Sequence, residues 1–302
     1  GLSMDEIKHF RQLHSKTPGH PENLLTPGVE ITTGPLGQGF ANGVGMGIAQ
    51  KHLEAMFNRP GHNIIDHFIY CICSDGDLME GVSYESASLA GHLKLDNLIY
   101  LYDDNQVTID GPTSLAFTED VTMRFEAAGW EVTSVEDGND LFAIESAIRA
   151  ARKSTGKPKL IRIKTIIGFG MPTQGTNTAH SDAPGPEAVK ETKRNLDWPE
   201  NKSFFVPKEV LSHFRQAVEN GARFEKDWEA AVKVYTKKYP EMGKTLSETR
   251  SGKLREGREK SLPTFDNVEA KATRAYSGEV INAIADTIPQ LIGGSGDLTP
   301  SN

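Results

Sequence analysis

"CICSDGDLMEG", residues 71–81, is the stretch of sequence that decides the fold. It ends a long apolar run, residues 66–74, with Asp75 and Asp77, and a helix-like pattern resumes one turn later. A near-continuous apolar run of this kind is typical of a central parallel strand that is covered on both faces. Because ligands of open α/β sheets bind beyond the carboxyl ends of strands, the turn after residue 74 is a candidate binding site.

Strands and helices alternate on both sides of this stretch. Residues 80–94 predict a crossover helix and residues 97–105 the next strand, which together form a β-α-β unit. Further along, the pattern predicts a helix, a strand, a helix and a strand over residues 122–130, 131–137, 140–154 and 158–167. Upstream it predicts two helices, over residues 3–14 and 40–57. A Pro- and Gly-rich segment without regular structure separates them. The expected fold class is α/β, a doubly wound and mainly parallel sheet with helices on both faces.

The organisation changes in the last third of the chain. Residues 207–240 are charged and predict a peripheral helical segment, and residues 240–265 are polar and linker-like. Residues 273–298 then predict a new unit of one helix followed by one strand. We therefore expect one domain over residues 1–237, and a linker with the start of a second domain over residues 238–302. Both ends of the chain read as interrupted elements, so we expect a longer protein.

The bulk composition excludes several functional classes. The 302 residues carry a formal net charge of −8, whereas a general nucleic-acid binder has a basic excess, so we expect no nucleic-acid partner. No apolar run approaches the roughly 18–20 residues of a membrane span, and no signal peptide is visible, so we expect a cytoplasmic protein without a membrane partner. Cys71 and Cys73 lie two residues apart on one strand, a number and spacing of cysteines that predict neither a disulfide nor a zinc site.

Three glycines interrupt the helix predicted over residues 40–57. Gly43, Gly45 and Gly47 each cost about 1 kcal/mol of helix stability relative to alanine. We therefore expect another backbone or a ligand to pack very close to this helix.

Polar residues follow two neighbouring strands of the predicted sheet. Asp75 and Gly76 follow the first strand, and Asp103-Asp104-Asn105 ends the second. Asn105 comes 30 residues after Asp75, about one strand-helix-strand unit, so the two side chains are expected to meet at one edge of the sheet. A carboxylate, an amide oxygen and a backbone carbonyl form a partial oxygen shell for Mg²⁺ when a diphosphate supplies the remaining ligands. Gly76 lets a phosphate approach the backbone, and the N-terminus of the next helix adds N–H donors.

Each turn by itself is equally typical of a plain chain reversal after a strand. Their combination at this spacing favours a site for a diphosphate and a metal ion. A ligand set made only of oxygen admits Ca²⁺ as well as Mg²⁺, and the sequence leaves that choice open.

The run "SDGDLMEG" with Asn105 resembles the thiamine-diphosphate motif, Gly-Asp-Gly followed by about 25 to 30 residues and an Asn. Seven segments in the same order resemble the transketolase family: "FRQLHSKTPGHPE", "GVEITTGPLGQGFANGVGMGIA", "ESASLAGHLKLDNLI", "YDDNQVTIDG", "RFEAAGW", "KTIIGFG" and "GGSGDLTPSN". The resemblance implies a thiamine-diphosphate-binding fold. Residues 1–237 would be the diphosphate-binding domain without its first strand, and residues 238–302 would begin the pyrimidine-binding domain.

The resemblance also implies where thiamine diphosphate and its Mg²⁺ or Ca²⁺ would bind. The metal would be held by Asp75, Asn105 and the carbonyl of Val107. The residues around the cofactor would be, in chain order, Gly34, Pro35, Leu36, Asp75, Gly76, Glu80, Asp103, Asn105, Ile167 and Asp297. In this reading Leu36 lies against the rings, Ile167 packs on the thiazolium, and Asp297 reaches the cofactor of a partner subunit.

The same resemblance implies a substrate site for sugar phosphates. His20 and His180 would act beside the thiazolium as catalytic and substrate-binding residues, and Arg274 and Ser301 would hold the sugar phosphate. An arginine suits that role because its planar fork gives paired, charge-assisted donors. Glu80 and Glu85 match carboxylates near the interface of a homodimer that encloses the cofactor. Ordinary alternatives are core packing for Leu36 and Ile167, a surface loop for His20, and acids favoured by a helix N-terminus for Glu80 and Glu85.

Two positions depart from the family pattern. Ser74 stands where the motif has its first glycine. The family has a histidine just before Gly-Ala-Pro, whereas this chain has Ser181-Asp182 before Ala183-Pro184, with His180 one residue early. We expect His180 to take the role of that histidine; the alternative is that the role is lost.

The implied activity is that of a transketolase, which transfers a two-carbon ketol unit from a ketose phosphate to an aldose phosphate in the pentose phosphate pathway or the Calvin cycle. Residues 1–302 alone are expected to be inactive, because the glutamate that activates the aminopyrimidine in this family would lie beyond Asn302. Two alternatives stay open: another thiamine-dependent carbon–carbon enzyme, such as a dihydroxyacetone synthase, and a non-catalytic relative that only binds the cofactor.

Overall fold

A sheet of four parallel strands forms the centre of the computed structural model, which describes residues 1–254, 256–266 and 270–299. The strands are β1 (Ile69–Ser74), β2 (Leu98–Asp104), β3 (Glu131–Val135) and β4 (Lys159–Lys164), and they lie in the order β1-β2-β4-β3. The register of the first pair sets Ser74 beside Asp103, so the two strands end at the same edge. The predicted α/β class and parallel sheet are confirmed.

Eleven α-helices accompany the sheet in the described residues. They are α1 (Met4–Lys8), α2 (Gln38–Phe57), α3 (Asp75–Met79), α4 (Gly81–His92), α5 (Val121–Ala127), α6 (Leu141–Ala151), α7 (Thr178–Ser181), α8 (Gly185–Asn195), α9 (Lys208–Lys238), α10 (Pro240–Arg250) and α11 (Thr273–Ala285). The starts of two of them follow from the sequence: the carboxylates of Asp120 and Asp140 accept N–H bonds from the first turns of α5 and α6.

The core has two parts, one on each face of the sheet. Helices α2, α4 and α5 pack one cluster around Tyr100 and Trp130, neither of which is more than 1% exposed. Helix α6 packs the second cluster around Ile99 and Ile161 on the opposite face. Since successive residues of a strand point to opposite faces, β2 contributes Tyr100 to one cluster and Ile99 to the other. The sheet is therefore doubly wound, as the sequence predicted.

Strand β1 differs from its prediction as a central strand. In the described sheet it lies at an edge, and Tyr70 and Ile72 are 46% and 80% exposed. The other face of β1 places Cys73 in the core under α2, with Cys71 half-buried beside it. The apolar run over residues 66–74 thus predicted a strand correctly, but its two faces are covered unequally. Both cysteines are free thiols, as expected.

One helix prediction and one linker prediction need correction. Helix α1 ends at Lys8 rather than continuing to residue 14, because the chain leaves helical geometry by Arg11, whose φ is 60°. The sequence predicts a linker over residues 240–265, yet α10 occupies their first part. Its buried Gly243 and Leu246 share one face of an otherwise polar helix, which composition does not reveal.

The strand expected after α11 is absent from the described residues up to 299. The Thr287 hydroxyl, donating to the Ile284 carbonyl at 2.8 Å, closes the end of α11, and irregular backbone follows. The apolar residues Leu291 and Ile292, which suggested the strand, are about half exposed.

The described chain divides into two compact units. The first comprises residues 1–58 and 65–216, and the second comprises residues 59–64 and 217–302. The first unit contains the whole sheet. The domain boundary between residues 237 and 238 stays a prediction. Among the described helices, none combines the length with the apolar character that crossing a membrane requires.

Candidate functional site

Asp75 is the first residue of α3 and lies where β1 ends. It is 2% exposed, and both carboxylate oxygens accept hydrogen bonds. The Tyr102 hydroxyl donates to Oδ1 at 2.7 Å, and the backbone N–H of Gln106 donates to Oδ2 at 3.0 Å. Since Tyr102 belongs to β2 and Gln106 follows it, the Asp75 carboxylate is attached directly to the end of the neighbouring strand.

Asn105, which follows β2, is hydrogen-bonded to the end of β1. Its amide Nδ2 donates to the Ser74 hydroxyl at 3.5 Å, and that hydroxyl donates to the Asp103 carbonyl at 3.1 Å. The Asn105 Oδ1 accepts the N–H of Val107 at 3.0 Å. Gln106 has a φ of 60°, which turns the chain back between Asn105 and Val107. Ser74, the departure from the motif's first glycine, therefore connects the two strand ends through its hydroxyl.

Burial sets the electrostatics of these groups. Burial raises the pKa of Asp75, and the hydrogen bonds from Tyr102 and the Gln106 N–H oppose that rise. Burial and the adjacent Asp75 carboxylate raise the pKa of Tyr102, so its hydroxyl keeps its proton and acts as a donor. Burial likewise raises the pKa of the Cys73 thiol far above its ordinary value, which makes that thiol unreactive.

The ligand atoms at this edge fit a hard divalent cation. One carboxylate, one carboxamide oxygen and one backbone carbonyl are offered by Asp75, Asn105 and Val107, and all are oxygen donors of the kind that Mg²⁺ and Ca²⁺ accept. Each carboxylate oxygen of Asp75 has a second lone pair beyond the one that its hydrogen bond uses. Within the described ranges no group of three or more His, Cys, Asp or Glu side chains could hold a metal ion.

The segment before α2 folds over α3. Gly34 has a φ of 138°, and a Cβ added to it would lie 2.5 Å from Nδ1 of His20, so the His20 ring packs on the Gly34 backbone. Leu36 covers Gly76, since a Cβ on that glycine would lie 3.3 Å from both leucine methyl groups. The structure thus places Leu36 against Gly76, the residue after Asp75, and His20 against Gly34. Pro35 lies between Gly34 and Leu36 and is exposed.

Asp77 joins this segment to the turn. Its Oδ1 accepts the N–H of Gly37 and its Oδ2 accepts the N–H of Ser74, both at 3.0 Å. The Ser83 hydroxyl donates to the Asp77 carbonyl at 2.6 Å. Asp77 therefore holds residues 34–37 against the start of α3. Sequence reasoning missed this role, although Ser74 and Asp77 have the three-residue spacing of a capping box.

The chain after β4 contacts the end of β2 and the loop that follows it. The Thr165 hydroxyl donates to the Asp103 carboxylate, and the Asn177 side chain donates to the Ile109 carbonyl at 3.3 Å. Ile167 is half-buried in this segment, and its carbonyl accepts the N–H of Gly175 at 2.9 Å. His180 lies in α7 with an exposed side chain, so the structure leaves its assignment a prediction.

Of the remaining predicted residues, Glu80 lies against the segment before α2, since a Cβ added to Gly37 would lie 2.9 Å from the Glu80 Cβ. Glu80 connects α3 with α4, and Glu85 lies in α4; both are exposed. Arg274, in the first turn of α11, and Asp297 belong to the second compact unit and are exposed. Ser301 lies outside the described residues.

A polar cavity of about 430 Å³ adjoins Asp75 on the face of the sheet that carries α5. Tyr102, Asp104 and Arg162 line it together with Asp75. The Arg162 guanidinium donates to the Asp104 carboxylate at 2.6 Å, and Asp104 is 3% exposed. Neither the cavity nor the contact of Tyr102 with Asp75 was predicted from the sequence, because Tyr102 reads there as an ordinary apolar strand residue.

The sequence model of the family described as "Transketolase, thiamine diphosphate binding domain" matches residues 1–255. The transketolase of Geobacillus stearothermophilus is 51% identical over 303 residues, an alignment that covers 100% of this chain and 45% of the relative. The chloroplastic transketolase-1 of Arabidopsis thaliana is 48% identical over 301 residues, covering 99% of this chain and 40% of the relative. The chain thus spans less than half the length of these curated relatives.

Solved structures agree with the sequence matches. The structure of transketolase from Leishmania mexicana superimposes with a TM-score of 0.96 at 45% identity, covering 100% of this chain and 45% of that one. A structure of transketolase from Pichia stipitis in complex with sedoheptulose-7-phosphate has a TM-score of 0.96 at 46% identity, covering 99% of this chain and 45% of that one. By sequence over most of its length and by fold over all of it, the chain belongs to the transketolase family.

Proposed function

We propose that this chain supplies the diphosphate and metal site of a transketolase, which transfers a two-carbon ketol unit from a ketose phosphate to an aldose phosphate. The observation that carries the proposal is the joined pair of strand ends, where Asp75 and Asn105 are attached to each other's strands through Gln106 and Ser74. A family member that keeps this arrangement keeps the part of the site that anchors the cofactor.

The metal ion, Mg²⁺ or Ca²⁺, would be held by Asp75, Asn105 and the Val107 carbonyl. Gly76 would lie against the diphosphate, since its missing side chain leaves room for a phosphate near the backbone. The Asp75 carboxylate supplies the negative charge that this metal site needs, and its burial strengthens the attraction of that charge for a cation. These residues anchor and orient the cofactor; they exchange no proton with the substrate.

The residues folded over α3 would surround the reactive part of the cofactor. When bound, thiamine diphosphate supplies an electron sink for breaking and forming the carbon–carbon bond. Leu36 and Ile167 would exclude water from the rings, with Gly34, Pro35 and Asp103 beside them. His20, held on the Gly34 backbone, would bind substrate hydroxyls or move a proton at its imidazole nitrogens, and we assign the same kind of role to His180.

Several features of the whole enzyme belong to the proposal through family membership alone. These are a homodimer that encloses the cofactor, a cytoplasmic location, and a role in the pentose phosphate pathway or the Calvin cycle. Glu80 and Glu85 would lie near the dimer interface, and Asp297 would contact a partner's cofactor. Arg274 and Ser301 would bind the sugar phosphate, a substrate class to which the sedoheptulose-7-phosphate of the Pichia stipitis complex belongs.

A calorimetric titration and a ketol-transfer assay test the proposal together. The intact protein, with every segment that accompanies residues 1–302, is titrated with thiamine diphosphate in the presence and absence of Mg²⁺. We expect metal-dependent binding, and ketol transfer between a ketose phosphate and an aldose phosphate. Binding without ketol transfer would reduce the proposal to a non-catalytic relative, and the absence of metal-dependent binding would overturn it.

The contact between His20 and Gly34 yields a prediction about substrate turnover. Gly34→Ala places a methyl group on the His20 ring at a backbone position with positive φ, so we expect the ring and the 34–37 segment to move. Displacing a substrate-positioning group by about 1 Å costs roughly 100-fold in rate, so we expect kcat/KM to fall by about that factor. Steady-state kinetics at saturating cofactor measures the loss.

Gly28→Ala is the matched control for Gly34→Ala. Gly28 also has a positive φ, 86°, but a Cβ added there would have no neighbour within 4 Å. We expect Gly28→Ala to lower stability through backbone strain while kcat/KM stays near that of the unaltered protein. Equal losses of kcat/KM in the two variants would show that strain in the segment, and not the position of His20, governs turnover.

A further inference from the structure

The Tyr102 hydroxyl is the side-chain group that fixes Asp75. It donates to Oδ1 at 2.7 Å, while the Gln106 N–H fixes Oδ2 from the backbone at 3.0 Å. Tyr102 and Asp75 are each 2% exposed. The carboxylate therefore has one orientation with respect to β2, and that orientation depends on one phenol and one amide.

The parallel register explains why residue 102 can reach Asp75. Cys73 pairs with Tyr102 and Ser74 pairs with Asp103, so Tyr102 lies two positions before the end of β2 while Asp75 lies one position beyond β1. The two are thus diagonal neighbours across the strand pair. A side chain as long as tyrosine spans that diagonal with its hydroxyl, whereas phenylalanine would leave Oδ1 without this donor.

The polar cavity gives the Tyr102 hydroxyl a second consequence. Asp75 and Tyr102 both line the cavity of about 430 Å³, so the hydroxyl lies at the boundary between the cavity and the carboxylate. A cavity of this size and polarity has room for water. Without the hydroxyl, mobile water rather than a fixed phenol would complete the hydrogen bonding of Oδ1.

We propose that Tyr102 is a positioning residue that sets the orientation of the Asp75 carboxylate and thereby the affinity and selectivity of the site for a divalent cation. The inference rests on the proposed function, in which Asp75 is a metal ligand. Residues that hydrogen-bond to a metal ligand fix its geometry, and removing one costs about 10- to 100-fold in metal affinity. Mg²⁺ requires stricter octahedral geometry than Ca²⁺, so its binding depends more on a fixed carboxylate.

Tyr102→Phe tests the proposal, with Tyr100→Phe as its matched control. Tyr100 is two residues earlier on the same face of β2, is 0% exposed, and donates its hydroxyl to the Phe40 carbonyl at 2.6 Å. Both variants remove one buried phenol hydroxyl from the same core cluster. A purely structural role for Tyr102 would make the two variants behave alike.

Metal titrations of the intact protein, followed by calorimetry at saturating thiamine diphosphate, give the readout. For Tyr102→Phe we expect Mg²⁺ affinity to fall by about tenfold and Ca²⁺ affinity to fall less, so that the preference between the two ions shifts. For Tyr100→Phe we expect both affinities to stay within about twofold of the unaltered protein, since its hydroxyl contacts no metal ligand. Thermal unfolding of the metal-free proteins confirms that both variants are folded.

Three results would overturn the inference. Unchanged Mg²⁺ affinity in Tyr102→Phe would show that Gln106 and packing alone fix the carboxylate. Equal losses in Tyr102→Phe and Tyr100→Phe would show a general effect of core stability. A lack of metal binding by the unaltered protein would overturn the proposed function as well, whereas the first two results would leave that function standing.

Discussion

Gly43→Ala is expected to destabilise the protein by about 3 kcal/mol, although alanine is the better helix former. Gly43 lies inside α2 on the face that covers the sheet. A Cβ added there would lie 2.2 Å from the Cys71 sulfur and 2.3 Å from the Tyr100 hydroxyl oxygen, both far inside van der Waals contact. Neither neighbour is a flexible surface group, so the added methyl must displace the core.

The displacement has two costs. Overpacking a core by one methyl group costs about 1 to 3 kcal/mol. Tyr100 is also confined by the rings of Phe40 and Trp130, whose centroids lie 4.5 and 5.2 Å away, and its hydroxyl bonds to the Phe40 carbonyl. Moving that hydroxyl leaves a buried O–H donor without its partner, a further cost of about 1 to 3 kcal/mol. The helix propensity of alanine offsets about 1 kcal/mol of this total.

Gly45→Ala is the control, because it changes the same helix two residues away. Gly45 is exposed, and a Cβ added there would have no neighbour within 4 Å. We expect this variant to stabilise the protein by about 1 kcal/mol through helix propensity. Urea unfolding followed by circular dichroism measures both changes, and their opposite signs are the result to look for. A destabilising Gly45→Ala, or a neutral Gly43→Ala, would contradict the packing described for α2.

These glycines show how far a sequence pattern predicts packing. The glycine spacing predicts a backbone or a ligand close to the helix. Gly43 and Gly47 do have close neighbours, but those neighbours are side chains: Cys71 and Tyr100 for Gly43, and Leu98 for Gly47. Gly45 has none. The glycines indicate that other groups pack close to the helix. Which glycine they pack against depends on how α2 is rotated about its axis on the sheet.

The strand ends were predictable because their signal is local. An apolar run that stops at an acid, repeated one β-α-β unit later, predicted that the ends of β1 and β2 lie side by side, and the register of Ser74 with Asp103 confirms it. Parallel pairing leaves little freedom once a crossover helix separates two buried strands. The same reasoning placed Asp75 and Asn105 at one edge of the sheet.

The residues that hold those ends in place were not predictable in the same way. The contact of Tyr102 with Asp75 joins positions 27 residues apart and needs the register to be known within one residue. The contact of Asp77 with Gly37 joins positions 40 residues apart through an irregular segment. Irregular backbone has no period, so a sequence pattern cannot reveal which of its N–H groups finds a partner.

Asp75→Asn is expected to separate the metal function of this site from its stability. The amide keeps the shape of the carboxylate and can still accept a hydrogen bond, but it carries no charge. Removing a residue that only supports a metal ligand costs about 10- to 100-fold in metal affinity. Asp75→Asn changes the proposed ligand itself, so we expect Mg²⁺ affinity at saturating thiamine diphosphate to fall by about 100-fold or more. Calorimetry on the intact protein measures the loss.

The metal-free Asp75→Asn protein is expected to be at least as stable as the unaltered one. Asp75 is 2% exposed, and its hydrogen-bond donors in the described chain, Tyr102 and the Gln106 N–H, are both neutral. A buried charge held only by neutral groups has given up its hydration without gaining an ion pair. Replacing it with a neutral amide removes that cost, so function and stability are opposed at this residue.

Asp104→Asn is the control with the opposite pattern. Asp104 is also buried and lies at the end of the neighbouring strand β2, but its carboxylate is paired with the Arg162 guanidinium. We expect this variant to lose about 1 kcal/mol of stability, since Arg162 is partly exposed and keeps some hydration, while Mg²⁺ affinity stays within a few-fold. If both variants lost stability and neither lost Mg²⁺ affinity, Asp75 would be an ordinary core carboxylate and the metal would have to bind elsewhere. The expected result is that Asp75→Asn loses Mg²⁺ affinity but not stability, and that Asp104→Asn loses stability but not Mg²⁺ affinity. That result would show that the charge of Asp75 serves to bind a ligand.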